Sequence, residues 1–316
     1  MTVTIIVPVY GVEKYIRECA VSLFSQTYDK IEYVFCDDCT PDRSIEILHE
    51  VMAEYPERQV RIIKNEQNKG LGGTRARLIK EVKSDYFLIV DSDDILPENA
   101  VETLVKKMKE TGTDIVEGGY AEYCNGNICN PKAPSHDNDT KYKRKAWCQN
   151  LVSLHVWGKL YQSGIIKNVP DLFIEGIDYA EDICAMTRLI GVATRSWTDE
   201  VVYHYRIDNN SSYTKNISEK SIKSYFKPQA KILSFYLQRG HLPFALEIGI
   251  LNTLRECRRR GLDMQEMNET LRYVPEHFRA KLLYNMFHST SIPLIISDYM
   301  YRLFRLVALS FVGFFF

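Results

Sequence analysis

Two acidic clusters carry the residue types and spacing that chemistry on phosphates requires. Asp91-Ser92-Asp93-Asp94 places carboxylates one residue apart directly behind the apolar run 86–90. Carboxylates are hard oxygen ligands, and a pair at one strand end can share Mg2+ or Mn2+ with diphosphate oxygens. Asp93 is the better candidate for direct ligation, and Asp91 for a sugar or ribose. Spacing of this kind also arises in ordinary loop capping, so its place behind a strand is what singles it out. Asp37-Asp38 follows a second apolar run. There a carboxylate can accept hydrogen bonds from a base N–H or ribose hydroxyls, or serve as a helix N-terminal acid favoured by the dipole. Cys36 and Cys39 have the C-x-x-C spacing of redox or zinc sites, but no second pair completes a zinc set, and they read as ordinary thiols.

The elements that must position these groups alternate. Residues 3–7 are a short apolar run of the kind buried in parallel sheets, and Val12, Tyr15, Ile16, Cys19, Ala20, Leu23 and Phe24 recur at helical spacing. The unit repeats: a strand at 33–36; a helix to about Tyr55 with Thr40 as N-cap; a strand at 60–63; a Gly-rich segment, Gly70–Gly73, opening a helix to about Val82; a strand at 86–90; and a helix from Pro97 ended by Gly112. Alternation of this kind predicts a doubly wound α/β sheet with ligands beyond the carboxyl ends of its strands. Pro8-Val9-Tyr10, Asp37-Asp38, residues 65–73 and Asp91-Ser92-Asp93 all fall at that edge. Asn125-Gly126 predicts a hairpin turn, and the chain beyond about residue 218 reads as helices.

The chain has 316 residues, 45% hydrophobic and 26% charged with a formal net charge of -1, which excludes a disordered chain and a general polyanion binder, so no nucleic-acid partner is expected. Residues 215–316 hold 15 Lys and Arg against 8 Asp and Glu, whereas residues 1–214 hold 25 against 33. The strand-like run so close to Met1 leaves no room for a signal peptide, and the expectation is a cytoplasmic protein with reduced thiols.

The ordered set Ile6-Val-Pro-Val-Tyr10, Ser22-x-x-x-Gln26-Thr27-Tyr28, Asp37-Asp38, Asn68-x-Gly70, Arg75 and Asp91-Ser-Asp-Asp94 resembles the family 2 glycosyltransferases of the GT-A fold, bacterial surface-polysaccharide type. The resemblance continues through Val156-Trp-Gly-Lys-Leu-Tyr161, Phe173-x-Glu-Gly176, Glu181-Asp182, Tyr203-His-Tyr-Arg206 and Ser211-Ser212, covering about residues 3–215. It implies a GT-A-like doubly wound mixed sheet in residues 1–215 and a helical extension in 216–316. It also implies a nucleotide-sugar donor, with a UDP-sugar expected, and transfer with inversion to a hydroxyl of a growing surface glycan or lipid-linked oligosaccharide. By matched position, Pro8, Tyr10, Asp38, Arg75 and Asp91 would hold the nucleotide. Asp93 and Asp91 would hold Mn2+ or Mg2+, with His204 a further ligand or a structural histidine. Asp182 would be the general base, a role compatible with its opening a helix. Trp157 and Lys159 would contact acceptor or donor, with core packing the other reading of Trp157.

Two positions depart from the family pattern. Cys39-Thr40-Pro41 stands where small residues are usual, which leaves the donor base open. Arg75-Ala76-Arg77 stands where Arg-Asn is usual, which leaves either arginine to reach the phosphates. A sugar-phosphate nucleotidyltransferase would show a Gly-rich N-terminal loop, and Pro8-Val-Tyr-Gly11 is not one; a non-catalytic nucleotide-sugar-binding protein of the same fold is the other alternative. Residues 292–316 end in 11 uncharged residues after Arg305, too few for a spanning helix. With Arg302, Arg305 and Arg258-Arg259-Arg260 they suit peripheral contact with anionic lipid, or a helix packed on protein.

Overall fold

The computed structural model describes residues 1–147, 154–209, 226–240, 243 and 246. The chain divides into two compact units, residues 1–143 with 154–228, and residues 144–153 with 229–316. The first unit is a mixed sheet ordered β3-β2-β1-β4-β7-β5-β6, with β8 along the other edge of β5. Its parallel half alternates as expected: β1 (Val3–Val9), α1 (Ile16–Phe24), β2 (Ile31–Asp37), α2 (Ser44–Glu54), β3 (Gln59–Lys64), α3 (Gly70–Glu81), β4 (Tyr86–Ile89) and α4 (Ala100–Thr111). The remainder follows as β5 (Ile115–Cys124), β6 (Asn127–Lys132), α5 (Asp139–Trp147), β7 (Lys159–Gln162), a 3-10 turn (Ser163–Asn168), α6 (Glu181–Val192), β8 (Arg195–Arg206) and α7 (Phe226–Gln238). The expected helix at 244–259 and the basic tail lie outside the described residues.

Strand β1 is buried along its whole length, because β2 and β4 flank it and helices cover both faces, so a continuous apolar run is stable there. Pairing of β1 with β4 ends at Ile6 opposite Ile89, while pairing with β2 runs on to Val9 opposite Asp37. Pro8, which has no N–H, therefore sits beyond the reach of β4, where a missing donor costs nothing. The split between β1 and β4 is the switch point of the parallel half, and it opens the crevice in which such folds bind ligands. The turn Asn125-Gly126, with φ of 49° and 81°, closes the predicted hairpin between β5 and β6. Gly112 ends α4 in the left-handed conformation, as read.

The start of α2 corrects one expectation. Thr40 is not its N-cap; the helix begins at Ser44, whose N–H and Oγ both donate to Asp42 Oδ1, at 3.1 and 2.5 Å. Thr40 faces the other way, its Oγ accepting the Gly11 N–H at 2.8 Å and donating to Asp42 Oδ1. A hydroxyl between two loops ties the end of β1 to the end of β2, and it is Asp42 that accepts the first N–H of α2.

Helix α6 carries a buried cation, Arg188. Its guanidinium donates to the carbonyls of Cys184, Asp171 and Leu172 at 2.9, 3.1 and 2.7 Å, and to that of Pro170 at 3.4 Å. It gathers the segment that leads into the helix. Hydrogen bonds to a charged group contribute roughly 1.5–3 kcal/mol each. Arg188→Met should therefore lower unfolding free energy by about 3 kcal/mol in urea titration; a change under about 0.5 kcal/mol would show that the segment needs no such clamp.

Candidate active site

The loop behind β4 is built on its least exposed acid. Asp94 is buried; Tyr203 Oη donates to its Oδ2 at 2.7 Å and the Arg206 N–H to its Oδ1 at 2.7 Å. Burial, with Asp93 and Asp91 adding negative charge, pushes its carboxyl well above the ordinary range. Arg206 also donates through Nε to the Asp93 carbonyl at 2.6 Å, pairs with Glu18, and lies between the rings of Tyr15 and Tyr123. His204 exchanges main-chain hydrogen bonds with Ile95 at 2.8 and 3.2 Å. Strand β8 thus clamps residues 91–95. From the other side Gln26, fully buried, donates to the carbonyls of Ser22 and Pro97 and accepts the Val101 N–H, while Ser22 Oγ accepts the Leu96 N–H. This accounts for the Ser22-x-x-x-Gln26 spacing: Ser22 stands in the last turn of α1 and Gln26 just past its end, and both reach the chain at 96–101.

Held in this way, Asp91 and Asp93 keep partly exposed carboxylates at the crevice. Asp93 Oδ2 accepts from Asn209 Nδ2 at 2.7 Å. Burial, followed by the charge of Asp91, pushes the Asp93 carboxyl up. Asp91 Oδ1 accepts from Arg75 Nη2 at 2.5 Å, and Arg75 Nη1 reaches Glu181 Oε1 at 2.5 Å. Arg75 is 2% exposed. Arg77, by contrast, is exposed and faces Glu81 at 3.8 Å, so of the two arginines only Arg75 belongs to the site.

Glu181 and Asp182 open α6, where Asp182 Oδ1 accepts the Ile183 N–H at 2.7 Å. Burial pushes both carboxyls up; Arg75 opposes this for each, and the Ile183 N–H for Asp182. Glu181 shares Arg75 with Asp91, so the switch-point crevice brings Asp91 and the Glu181-Asp182 pair together.

At the end of β2 the two acids divide. Asp37 accepts the Thr40 N–H at 2.8 Å and pairs with Lys64 at 3.1 Å. Asp38 is 3% exposed, and its Oδ1 accepts from Asn65 Nδ2 at 2.8 Å and the Lys69 N–H at 2.7 Å, shaping the loop that leads to α3. Tyr10, at the end of β1, is 52% exposed. Cys39 stands in the left-handed conformation with Sγ 3.2 Å from the Asn65 carbonyl, and burial pushes the Cys36 thiol up to about 12, so Cys36 is held as a thiol.

The residues expected at the substrates, Lys159 and Trp157, both lie in the core. Lys159 is fully buried against Glu117 and the His155 carbonyl, and it is a core cation rather than a substrate contact. Trp157 is stacked between His155 at 3.5 Å and Tyr203 at 4.4 Å, which makes it packing for β8. Among the described residues no three His, Cys, Asp or Glu side chains converge to hold an ion. Two hard carboxylates whose mutual repulsion a divalent cation would relieve still fit Mg2+ or Mn2+. Such ions are commonly held by one or two carboxylates together with substrate phosphates and water.

Residues 4–169 match the family model described as glycosyl transferase family 2. EpsJ of Bacillus subtilis, an uncharacterized glycosyltransferase, is 31% identical over 257 residues, which are 75% of this chain and 70% of that protein. The pneumococcal glycosyltransferases GlyG and GlyA are 36% and 33% identical, and the chain spans only 40% and 25% of their lengths. The fold is similar to that of Staphylococcus aureus TarS 1-349 in complex with UDP-GlcNAc, with a TM-score of 0.65 at 19% identity over 90% of this chain and 80% of that one. It is also similar to the mannosyltransferase PcManGT of Pyrobaculum calidifontis in complex with GDP-Man and Mn2+, with a TM-score of 0.53 at 14% identity over 89% and 83% of the two chains. A matched family model over half the chain, and a sheet whose crevice gathers the motifs of that family, make this chain a member of glycosyl transferase family 2 with a GT-A-like fold.

Proposed function

We propose that the protein is an inverting glycosyltransferase that moves one sugar from a nucleotide-diphosphate donor, expected to be a UDP-sugar, to a hydroxyl of a surface glycan or lipid-linked oligosaccharide. The observation that carries this reading is the convergence of Asp91, Asp93, Arg75 and the Glu181-Asp182 pair on one crevice. The UDP-GlcNAc and GDP-Man complexes of the similar folds support the donor class. Names of relatives such as poly(ribitol-phosphate) beta-glucosyltransferase and chondroitin synthase support a polymeric acceptor.

In this reading Tyr10 and Pro8 flank the nucleotide where β1 parts from β4, and Asp38 shapes the loop beside it. Asp93, with Asp91, would hold Mn2+ or Mg2+, whose charge would neutralise the leaving diphosphate. Arg75 keeps Asp91 turned toward the donor. The acceptor oxygen attacks the anomeric carbon from the face opposite the phosphate, Asp182 takes the hydroxyl proton, and the C–O bond to the nucleoside diphosphate breaks with its electron pair on the leaving group. Asp182 works as a carboxylate, so its surroundings set the pH at which transfer begins. Residues 1–215 would be the catalytic part and 216–316 the helical extension. No helix among the described residues is long and apolar enough to cross a membrane. Peripheral contact through residues 292–316, at the inner face of the cell membrane, belongs to the proposal, with a lipid-linked acceptor as its rationale.

Asp93→Ala should abolish transfer and remove the Mn2+-dependent thermal stabilisation by UDP, whereas Asp182→Ala should abolish transfer and keep it. Loss of a positioned general base costs roughly 100- to 10,000-fold; near-normal turnover in either variant contradicts its role.

The pH dependence has a sign fixed by burial. Asp182 faces Arg75 of α3, Asp91 behind β4, Glu181 beside it, and Lys159 and Tyr161 of β7. Burial raises its carboxyl above the ordinary aspartate position, which lies at about pH 4. The base is needed ionised, so the rate should climb with pH through a limb centred above that value. A rate flat from about pH 4 to 7 at saturating Mn2+ would contradict the assignment.

A further inference from the structure

Helix α3 opens with Gly70-Leu71-Gly72-Gly73, and the segment that leads to Asp182 lies directly on that first turn. A Cβ at Gly72 would stand 2.1 Å from the Ile177 carbonyl oxygen and 2.7 Å from that of Ile174. At Gly70, whose φ of +71° itself favours glycine, it would stand 2.4 Å from Asp178 Oδ1. Any side chain at Gly72 would displace main chain, so this glycine makes room for the loop. Asp178 Oδ1 accepts the Gly72 N–H at 3.1 Å, and Lys69 Nζ reaches Glu175 at 3.3 Å. The contact uses an unpaired first-turn N–H and the positive end of the helix dipole. Arg75, one helical turn further along α3, joins Glu181. Between these two attachments Ala180 is held at φ +59°, a conformation that alanine adopts only when its surroundings impose it, and it sets the direction of Glu181 and Asp182.

We propose that Asp178 is a positioning residue for transfer: seated on the Gly72 N–H, its carboxylate fixes the 174–180 loop on α3 and so holds Asp182 at the height of the acceptor hydroxyl. The inference rests on Asp182 as the base. It assigns the Gly-rich turn to the base loop rather than to the donor phosphates.

The test compares Asp178→Ala and Asp178→Asn in the full chain by kcat, donor KM and amide hydrogen exchange. Asp178→Ala should lower kcat about tenfold to a hundredfold, since misplacement by an ångström can cost that much, with donor KM within about twofold of wild type. Exchange over residues 70–75 and 174–183 should rise. Asp178→Asn keeps an acceptor oxygen and should recover most of the rate and the protection. A kcat for Asp178→Ala within about twofold of wild type, unchanged exchange over 174–183, or an Asn variant as slow as the Ala one would each overturn the proposal. A wild-type chain that turns over no donor counts against the functional reading instead, and the exchange comparison still decides whether Asp178 seats the loop.

Discussion

The site depends on one buried cation shared by two carboxylates. Arg75 is 2% exposed and bonds Asp91 behind β4 and Glu181 at the start of α6, each at 2.5 Å. Burying a guanidinium is costly unless charged partners with good geometry offset the lost hydration, and the planar fork of arginine can face two carboxylates at once where lysine cannot. The surrounding structure supplies that geometry. Helix α3 turns Arg75 inward and presents a glycine turn on which the 174–180 loop can lie, and the residue sits where β1 and β4 part. Without the cation, two acids from distant parts of the chain would face each other in a poorly hydrated crevice.

The same cation leaves the cluster short of positive charge. Asp91, Asp93, Glu181 and Asp182 stand against Arg75, and the carboxyls of Asp93, Glu181 and Asp182 are pushed up by burial. In the proposed reading a divalent ion held by Asp93 and Asp91 would complete the balance, and a base whose carboxyl binds its proton more tightly than usual would be better matched to a hydroxyl proton. Asp94 stays out of this exchange because Tyr203 and the Arg206 N–H fix both its oxygens.

The parallel half of the sheet was legible because strands buried on both faces read as continuous apolar runs, and helices with one buried face keep the 3.6-residue period. The choice between Arg75 and Arg77 was also present as phase: Arg75 lies three and four residues from the buried Leu78 and Ile79, whereas Arg77 shares its face with exposed Lys80. What four consecutive residues containing three acids could not disclose is which acid is the anchor, because that depends on Tyr203 and Arg206 more than a hundred residues away. Trp157, Lys159 and the glycine turn were obscure for the same reason. Their partners, Tyr203, Glu117 and the 174–178 loop, are set by tertiary contact and leave no local periodicity.

The most direct measurement is a double-mutant cycle on transfer rate with Arg75→Met and Glu181→Gln. If one shared cation organises the site, the two changes remove the same arrangement and the double variant is no slower than Arg75→Met alone. Losses that multiply independently would mean that Arg75 and Glu181 act separately, and would contradict the account.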